Sequence, residues 1–364
     1  MPGSTETTNP TTQPSSLVVG ATGISGTAIC ELLTNRGEHV GGLSRRQPSV
    51  PRVAHVAADL LDRESLAAAL TELRPTAVHL TAWVRQPTEA ENIQVNAGIV
   101  RDVLAALGPA GSVRHVALMT GLKHYLGPFE SYGQGDVPET PFREEQPRLS
   151  SPNFYYAQED ELFAAAERYG FSWSVHRSHT IVGHAVGNAM NMALTLAVQA
   201  TLCRELDLPF VFPGSAQQWN GLTDVTDASL VAEQMVWAAE TPGAANQAFN
   251  IVNGDVFRWR WMWPRLAEHF GVEPEGFDGE PRPLEQQMAG REDDWRHIAE
   301  RHGLVEPDIG RVASWWHTDG DLGREIECVT DMGKSRKFGF LGYRSSLDSL
   351  LAQFARYQRE RLIP

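Results

Sequence analysis

Short apolar runs separated by amphipathic stretches dominate the first half of the chain. Runs at 17–19, 39–43, 53–57, 77–80, 113–118 and 172–176 have the length and composition of buried strands. Between them, apolar positions recur at helical spacing over 25–35, 63–72, 91–107 and 152–169. This alternation predicts a parallel sheet with right-handed crossover helices, a doubly wound Rossmann-type α/β fold. Beyond His176 the alternation loosens. Residues 188–204 read as an apolar helix, 210–212 and 248–251 as short strands, and the chain from Asn253 onward as helix-rich. The expected organisation is a dinucleotide-binding domain over 17–182 with 222–252 contributing, and a smaller substrate-side domain from 183–221 and 253–364.

Composition narrows the picture. The 364 residues are 42% hydrophobic and 21% charged, as in an ordinary globular enzyme, and the net charge is -14. That charge disfavours nucleic acid and anionic membrane as partners. No apolar run is long enough to span a bilayer. Residues 1–16 are rich in Thr, Ser and Pro without an apolar stretch, and read as a disordered tail rather than a signal peptide. Cys30, Cys203 and Cys328 are far apart and in no metal-ligand spacing, which suits reduced thiols in a cytoplasm. His176, His179 and His184 straddle a strand end without a carboxylate in a ligand pattern, so no metal is expected. The stretch 258-RWRWMWP-264 reads as a packed connector into a helix, and 291-REDDWRHIAER-301 as a solvated helix face.

The first strand runs into 20-GATGISG-26, with glycines at 20, 23 and 26 at the opening of the first strand–helix unit. Side chains there would block a backbone turning against a pyrophosphate, and the following helix offers free N–H groups. Gly20, Thr22, Gly23, Ile24 and Gly26 are therefore expected to hold a dinucleotide. The second strand ends in 41-GGLSRR-46. Ser44, Arg45 and Arg46 stand where a carboxylate would grip the ribose of NAD, and suit a 2′-phosphate instead. NADPH is favoured over NADH. Asp59 and Leu60, after the third strand, are expected to flank the adenine. Thr81, Ala82, Thr120, Thr180 and Ile181, at later strand ends, complete the expected cofactor contacts.

A lysine follows the fifth strand in 117-ALMTGLKHYLGPFE-130. Short-chain dehydrogenases place Tyr and Lys four apart on the next helix. Here Tyr132, Tyr155 and Tyr156 are followed at that spacing by Asp136, Glu159 and Asp160. Lys123 could supply the missing charge from the strand end, and make a phenol at the start of the next helix more acidic. Tyr155 and Tyr156 project about 100° apart on a helix, so only one can face the cofactor. The residues alone do not choose between them.

At these positions the chain resembles the plant progesterone 5β-reductase and iridoid synthase family. The resemblance is carried by 120-TGLKHYLGPFESYG-133, 147-PRLSSPNFYYAQEDEL-162, 173-WSVHR-177, 248-AFNIVNGDVFRWRWMWPRLAEHFG-271 and 334-KSRKFGFLGYR-344. It implies an extended, atypical short-chain reductase that uses NADPH to reduce the carbon–carbon double bond of an enone. The family's catalytic lysine falls on Lys123 and its catalytic tyrosine on Tyr155, 32 positions later. Tyr156 is then expected to pack, and Trp83 in 80-LTAWVR-85 to be the active-site tryptophan. Tyr125, Phe129 and Phe154 line the pocket or belong to the core, and Met190 is a further pocket residue. His124 is expected to pack rather than act as an acid. Two departures stand out: Ser178 replaces the usual proline after the sixth strand, and His317 in 315-WWHTDGDLGR-324 replaces a phenylalanine. The resulting polar pocket wall argues against a bulky steroid. The family also implies a cytoplasmic homodimer. Two other readings remain open, an NADPH-dependent carbonyl reductase using the same residues and a non-catalytic NADPH-sensing protein.

Overall fold

The computed structural model describes residues 15–128 and 139–364. Residues 1–14 of the expected tail, and Phe129, lie outside the described residues. Ser15 and Ser16 do not belong to a tail: Ser15 bonds the His39 carbonyl and Ser16 opens the first strand.

The described residues contain eleven strands: β1 (Ser16–Val19), β2 (Val40–Ser44), β3 (Val53–Ala57), β4 (Ala77–Leu80), β5 (His115–Gly121), β6 (Ser172–Ser178), β7 (Ile181–Val182), β8 (Phe210–Val211), β9 (Thr226–Asp227), β10 (Gln247–Ile251) and β11 (Pro274–Glu275). Seven of them form a parallel sheet in the order β10-β6-β5-β4-β1-β2-β3. β1 passes to β2 on one side and β4 returns on the other, so the crossovers diverge at the carboxyl end of β1. That point leaves a crevice for a ligand.

Apolar faces close both sides of the sheet. Ile29 and Leu33 of the Ile24–Asn35 helix meet Leu230 and Met235 of the Ala228–Glu240 helix on one face. Leu66, Val100, Leu104 and Leu162 cover the other. A third core, of Leu196, Phe210, Trp263, Trp295 and Phe354, gathers later segments. Within it Trp263 stacks on Phe210 at 4.0 Å and donates its indole N–H to the Phe210 carbonyl. The tryptophan-rich stretch thus begins the Trp259–Phe270 helix itself, with Trp259 and Trp263 buried and Trp261 exposed.

β5 and β6 extend further than their apolar runs suggest. They remain paired through Thr120 with Arg177 and Gly121 with Ser178, because neighbouring strands satisfy the backbone whatever the side chains are. The expected helix at 188–204 starts instead at Met192, where Asn191 caps it by accepting from the Leu194 N–H.

Candidate active site

The glycine loop is shaped by its own backbone. Gly20 has φ +92, and a Cβ there would lie 2.9 Å from the Ala82 Cβ and 3.0 Å from the Thr81 hydroxyl. A Cβ on Gly26 would run into the Gly20 carbonyl. The Gly23 N–H closes the turn onto the Gly20 carbonyl at 2.9 Å. The helix that follows has no side-chain cap and no acidic residue in its first turn, so its end is open to an anion.

This loop forms one end of a cavity of about 440 Å³ at the crevice. Gly20, Thr22, Gly23 and Ile24 line it, with Ser44, Arg45 and Arg46 from the end of β2 and Asp59 and Leu60 from the end of β3. Arg45 and Arg46 are exposed. The Ser44 hydroxyl donates to the Arg46 carbonyl at 2.7 Å, which leaves the two guanidinium groups as the charged donors there. Thr81, Ala82, Trp83, Thr120, Tyr155, Ile181 and Met190 line the remainder. Gly26 lies beneath the loop. These residues fit a dinucleotide, with backbone N–H groups for a pyrophosphate and guanidinium groups for a further phosphate.

Besides Gly26 and Lys123, four expected residues do not line the cavity. Thr180 donates its hydroxyl to Asp321 at 3.0 Å, which turns its side chain to that carboxylate, and it does not line the cavity. Tyr125 is buried, stacks on Phe142 and donates its hydroxyl to Asn250 at 2.6 Å, so it is a core residue. Phe154 is fully buried behind the wall, stacked on Trp83 at 5.2 Å and tilted against Tyr155 at 4.3 Å. His317 is buried on the Trp315–Leu322 helix, where burial lowers its imidazole below the usual range.

Lys123 opens a short helix, Lys123–Leu126, and is buried. Its ammonium lies 5.2 Å from the Trp83 ring centre and 4.8 Å from that of Phe154, a favourable cation–π arrangement just behind the cavity wall. Tyr155 stands on the first turn of the Phe154–Tyr169 helix, and its hydroxyl approaches Gly121 at the end of β5. Burial pushes the phenol well above its ordinary value, and the negative charge of Glu89 adds to this. The expected acidification is therefore absent: desolvation and a carboxylate from another helix prevail, and the phenol remains protonated at neutral pH.

The three histidines considered for a metal have separate partners. His176 bonds Gln234 and Ser174, His179 bonds Asp224 at 2.7 Å, and His184 pairs with Glu360. Among the described residues no cluster of His, Cys, Asp and Glu is arranged to hold a metal. The cysteines are buried and unpaired. Among the described residues no helix is long and apolar enough to cross a membrane.

Sequence reasoning missed several lining residues: Arg85, Met119 and the segment from Val186 to Ala189; Ser178, singled out as a departure, does line the cavity. Ser178 donates to the Thr120 carbonyl at 3.3 Å, stitching the ends of β5 and β6. The segment after Gly183 reads as the approach to a helix, but it returns across the cavity and brings Asn188 beside Gly23. Its left-handed Gly187 was the available clue to a loop.

Residues 16–252 match the NAD dependent epimerase/dehydratase family. The chain belongs to that family. It is 38% identical to an (S)-8-oxocitronellyl enol synthase of Camptotheca acuminata, over 97% of this chain and 94% of that protein. It is likewise 38% identical to the 3-oxo-Delta(4,5)-steroid 5-beta-reductase of Arabidopsis thaliana, over 96% and 92%. These relatives place the epimerase/dehydratase-family chain with the plant reductases that its motifs resemble. Solved structures show the same fold at lower identity. The UDP-glucose 4-epimerase of Thermus thermophilus superposes with a TM-score of 0.65 at 21% identity, over 94% of this chain and 98% of that one. An epimerase of Methanothermobacter thermautotrophicus gives 0.69 at 16%, over 95% and 93%.

Proposed function

We propose that the protein is an NADPH-dependent reductase of the activated carbon–carbon double bond of enones and enals. The observation that carries this reading is one cluster at the carboxyl edge of the sheet. It brings together the Tyr155 phenol, the Trp83 wall and, behind Trp83 and Phe154, the Lys123 ammonium. The relatives support it. The name of the Arabidopsis protein describes reduction at C5 of a 3-oxo-Δ4,5 steroid, the carbon β to the carbonyl. Arg45 and Arg46, at the cavity end beside β2, support NADPH over NADH.

The glycine loop and the end of β2 would hold the cofactor, which supplies hydride for the β-carbon. Tyr155, protonated at neutral pH, donates a hydrogen bond to the carbonyl oxygen as negative charge develops there. Lys123 adds a positive potential through the thin aromatic layer of Trp83 and Phe154, strongest where water is excluded. Solvent then protonates the α-carbon. A cytoplasmic homodimer accompanies this reading; light scattering of the purified protein checks the dimer.

The test is product identity. Purified protein with NADPH and a panel of cyclic and linear enones and enals is expected to give saturated ketones and aldehydes. An allylic alcohol with its double bond intact would mean carbonyl reduction and overturn the reading. Tyr155→Phe is expected to lower kcat by about 10²-fold, the usual loss when one oxyanion donor is removed.

A further inference from the structure

The helix that carries Tyr155 also grips the turn that carries Lys123. Asn153 stands between them. Its side-chain oxygen accepts from the Tyr155 N–H at 2.9 Å and caps the Phe154–Tyr169 helix, while its amide nitrogen donates to the Lys123 carbonyl at 2.6 Å. Asn153 is 3% exposed and lines no part of the cavity, so it touches neither ligand. One turn-length away, the Tyr156 hydroxyl donates to the His124 carbonyl at 2.5 Å and accepts from the Leu149 N–H at 3.0 Å. The Tyr156 ring meets the His124 ring edge-on and lies under the Arg148 guanidinium.

This second bond is braced from below. Arg148 reaches Glu159 at 2.8 Å and Asp160 at 2.7 Å, and Arg177 of β6 approaches Glu159 at 3.4 Å. Consecutive carbonyls, those of Lys123 and His124, are therefore tied to one helix by side chains at positions 153 and 156. A four-residue helix such as Lys123–Leu126 has little stability of its own. Its placement depends on what holds it.

We propose that Asn153 and Tyr156 are positioning residues that fix Lys123 relative to Tyr155. Tyr156 is then more than packing, and the paired tyrosines divide the work: Tyr155 faces the reaction and Tyr156 holds the lysine turn. The proposal rests on the role of Lys123 given above. It follows because misplacing a catalytic group by about 1 Å can cost up to about 10²-fold in rate.

The test is a double-mutant cycle on the whole protein. Asn153→Ser keeps a side chain that caps helices well but is too short to reach Lys123. Tyr156→Phe removes one hydroxyl and leaves the ring. Each is expected to lower kcat with an enone substrate by about tenfold, with KM for NADPH within about twofold of wild type. In a Lys123→Ala background neither substitution should lower kcat further. Thermal unfolding of each variant separates a fold defect from a positioning one. Wild-type kcat in both single variants overturns the proposal, as does an equal further loss in the Lys123→Ala background. A Lys123→Ala protein with wild-type turnover brings down the lysine's role, and the inference with it.

Discussion

Arg45 and Arg46 follow directly after β2, on the exposed rim of the cavity. A guanidinium–phosphate pair is a charge-assisted hydrogen bond, worth roughly 1.5–3 kcal/mol when well formed. Replacing both arginines with alanine is expected to weaken NADPH binding by about tenfold or more, and to change NADH binding little. Fluorescence titration with each nucleotide checks this, and equal loss for both would assign the arginines to general attraction. Tyr155 makes a second prediction. Its donor is the protonated phenol, and burial raises that phenol, so the donor persists as pH climbs past the ordinary tyrosine value of about 10. The kcat profile should show no loss from this group up to pH 10, whereas a fall centred near pH 8 would point to another acid. Residue types at fixed offsets made the glycine loop legible in the sequence and drew attention to Lys123, whereas only the family resemblance chose Tyr155 over Tyr156. The protonation state of Tyr155 was not legible, because burial and Glu89 arrive from a helix far away in the chain.

The loop between β1 and the Ile24–Asn35 helix shows how tightly an element can constrain a residue. A Cβ on Gly26 meets backbone, the Gly20 carbonyl, and backbone cannot swing aside as a side-chain tip can. Gly26→Ala is therefore expected to open the turn and abolish cofactor binding. Gly37 offers the contrast: it has φ +82 but nothing near its Cβ position. Gly37→Ala should cost only backbone strain, roughly 1 kcal/mol, and leave cofactor binding intact. Isothermal titration with NADP+ and thermal unfolding distinguish the two variants. The same logic explains which elements could be read in advance. A central strand such as β1 is buried on both faces, and the continuous apolar run Leu17–Val19 identifies it. The ends of β5 and β6 carry Thr120, Arg177 and Ser178, which hydropathy reads as loop. The segment from Val186 to Met190 follows no period at all, and only its return across the sheet gives it a place in the cavity.

Acid sensitivity follows from three histidines buried across adjacent strands of the central sheet. His79 on β4, His115 on β5 and His176 on β6 are nearly inaccessible. The Ser174 hydroxyl lies between the Nε2 atoms of His115 and His176, at 2.9 Å and 2.8 Å, and His176 Nδ1 is 2.7 Å from the Gln234 side-chain oxygen. Burial lowers His79 and His176 to about 4 and His115 to about 3, and proximity to His176 adds to the effect on the other two. The folded state therefore resists protonation that the unfolded chain accepts near pH 6.5. Stability from these residues is complete above that value and is lost as pH falls from about 6.5 through about 4 for His79 and His176 and about 3 for His115. Each tenfold drop in a group's proton affinity on folding corresponds to about 1.4 kcal/mol, so protonating these histidines opposes folding increasingly below pH 6.5. Two other buried groups flank this window. In Glu159 burial would raise the carboxyl, but His124, Arg177 and Arg148 outweigh it and hold it at about 2, so its contribution fades only between about pH 4.5 and 2. In His179 burial and Arg324 are outweighed by Asp224 and Cys328, which raise it to about 9, so its contribution is full below about pH 6.5 and is lost as pH rises through 9. Tm is thus expected to peak near pH 6.5–7, with a steep acid limb and a shallower alkaline one. His79→Leu should flatten the acid limb, since it removes one of the three groups that must charge. A Tm that stays constant from pH 7 to pH 5 would show that the buried histidines do not govern acid unfolding.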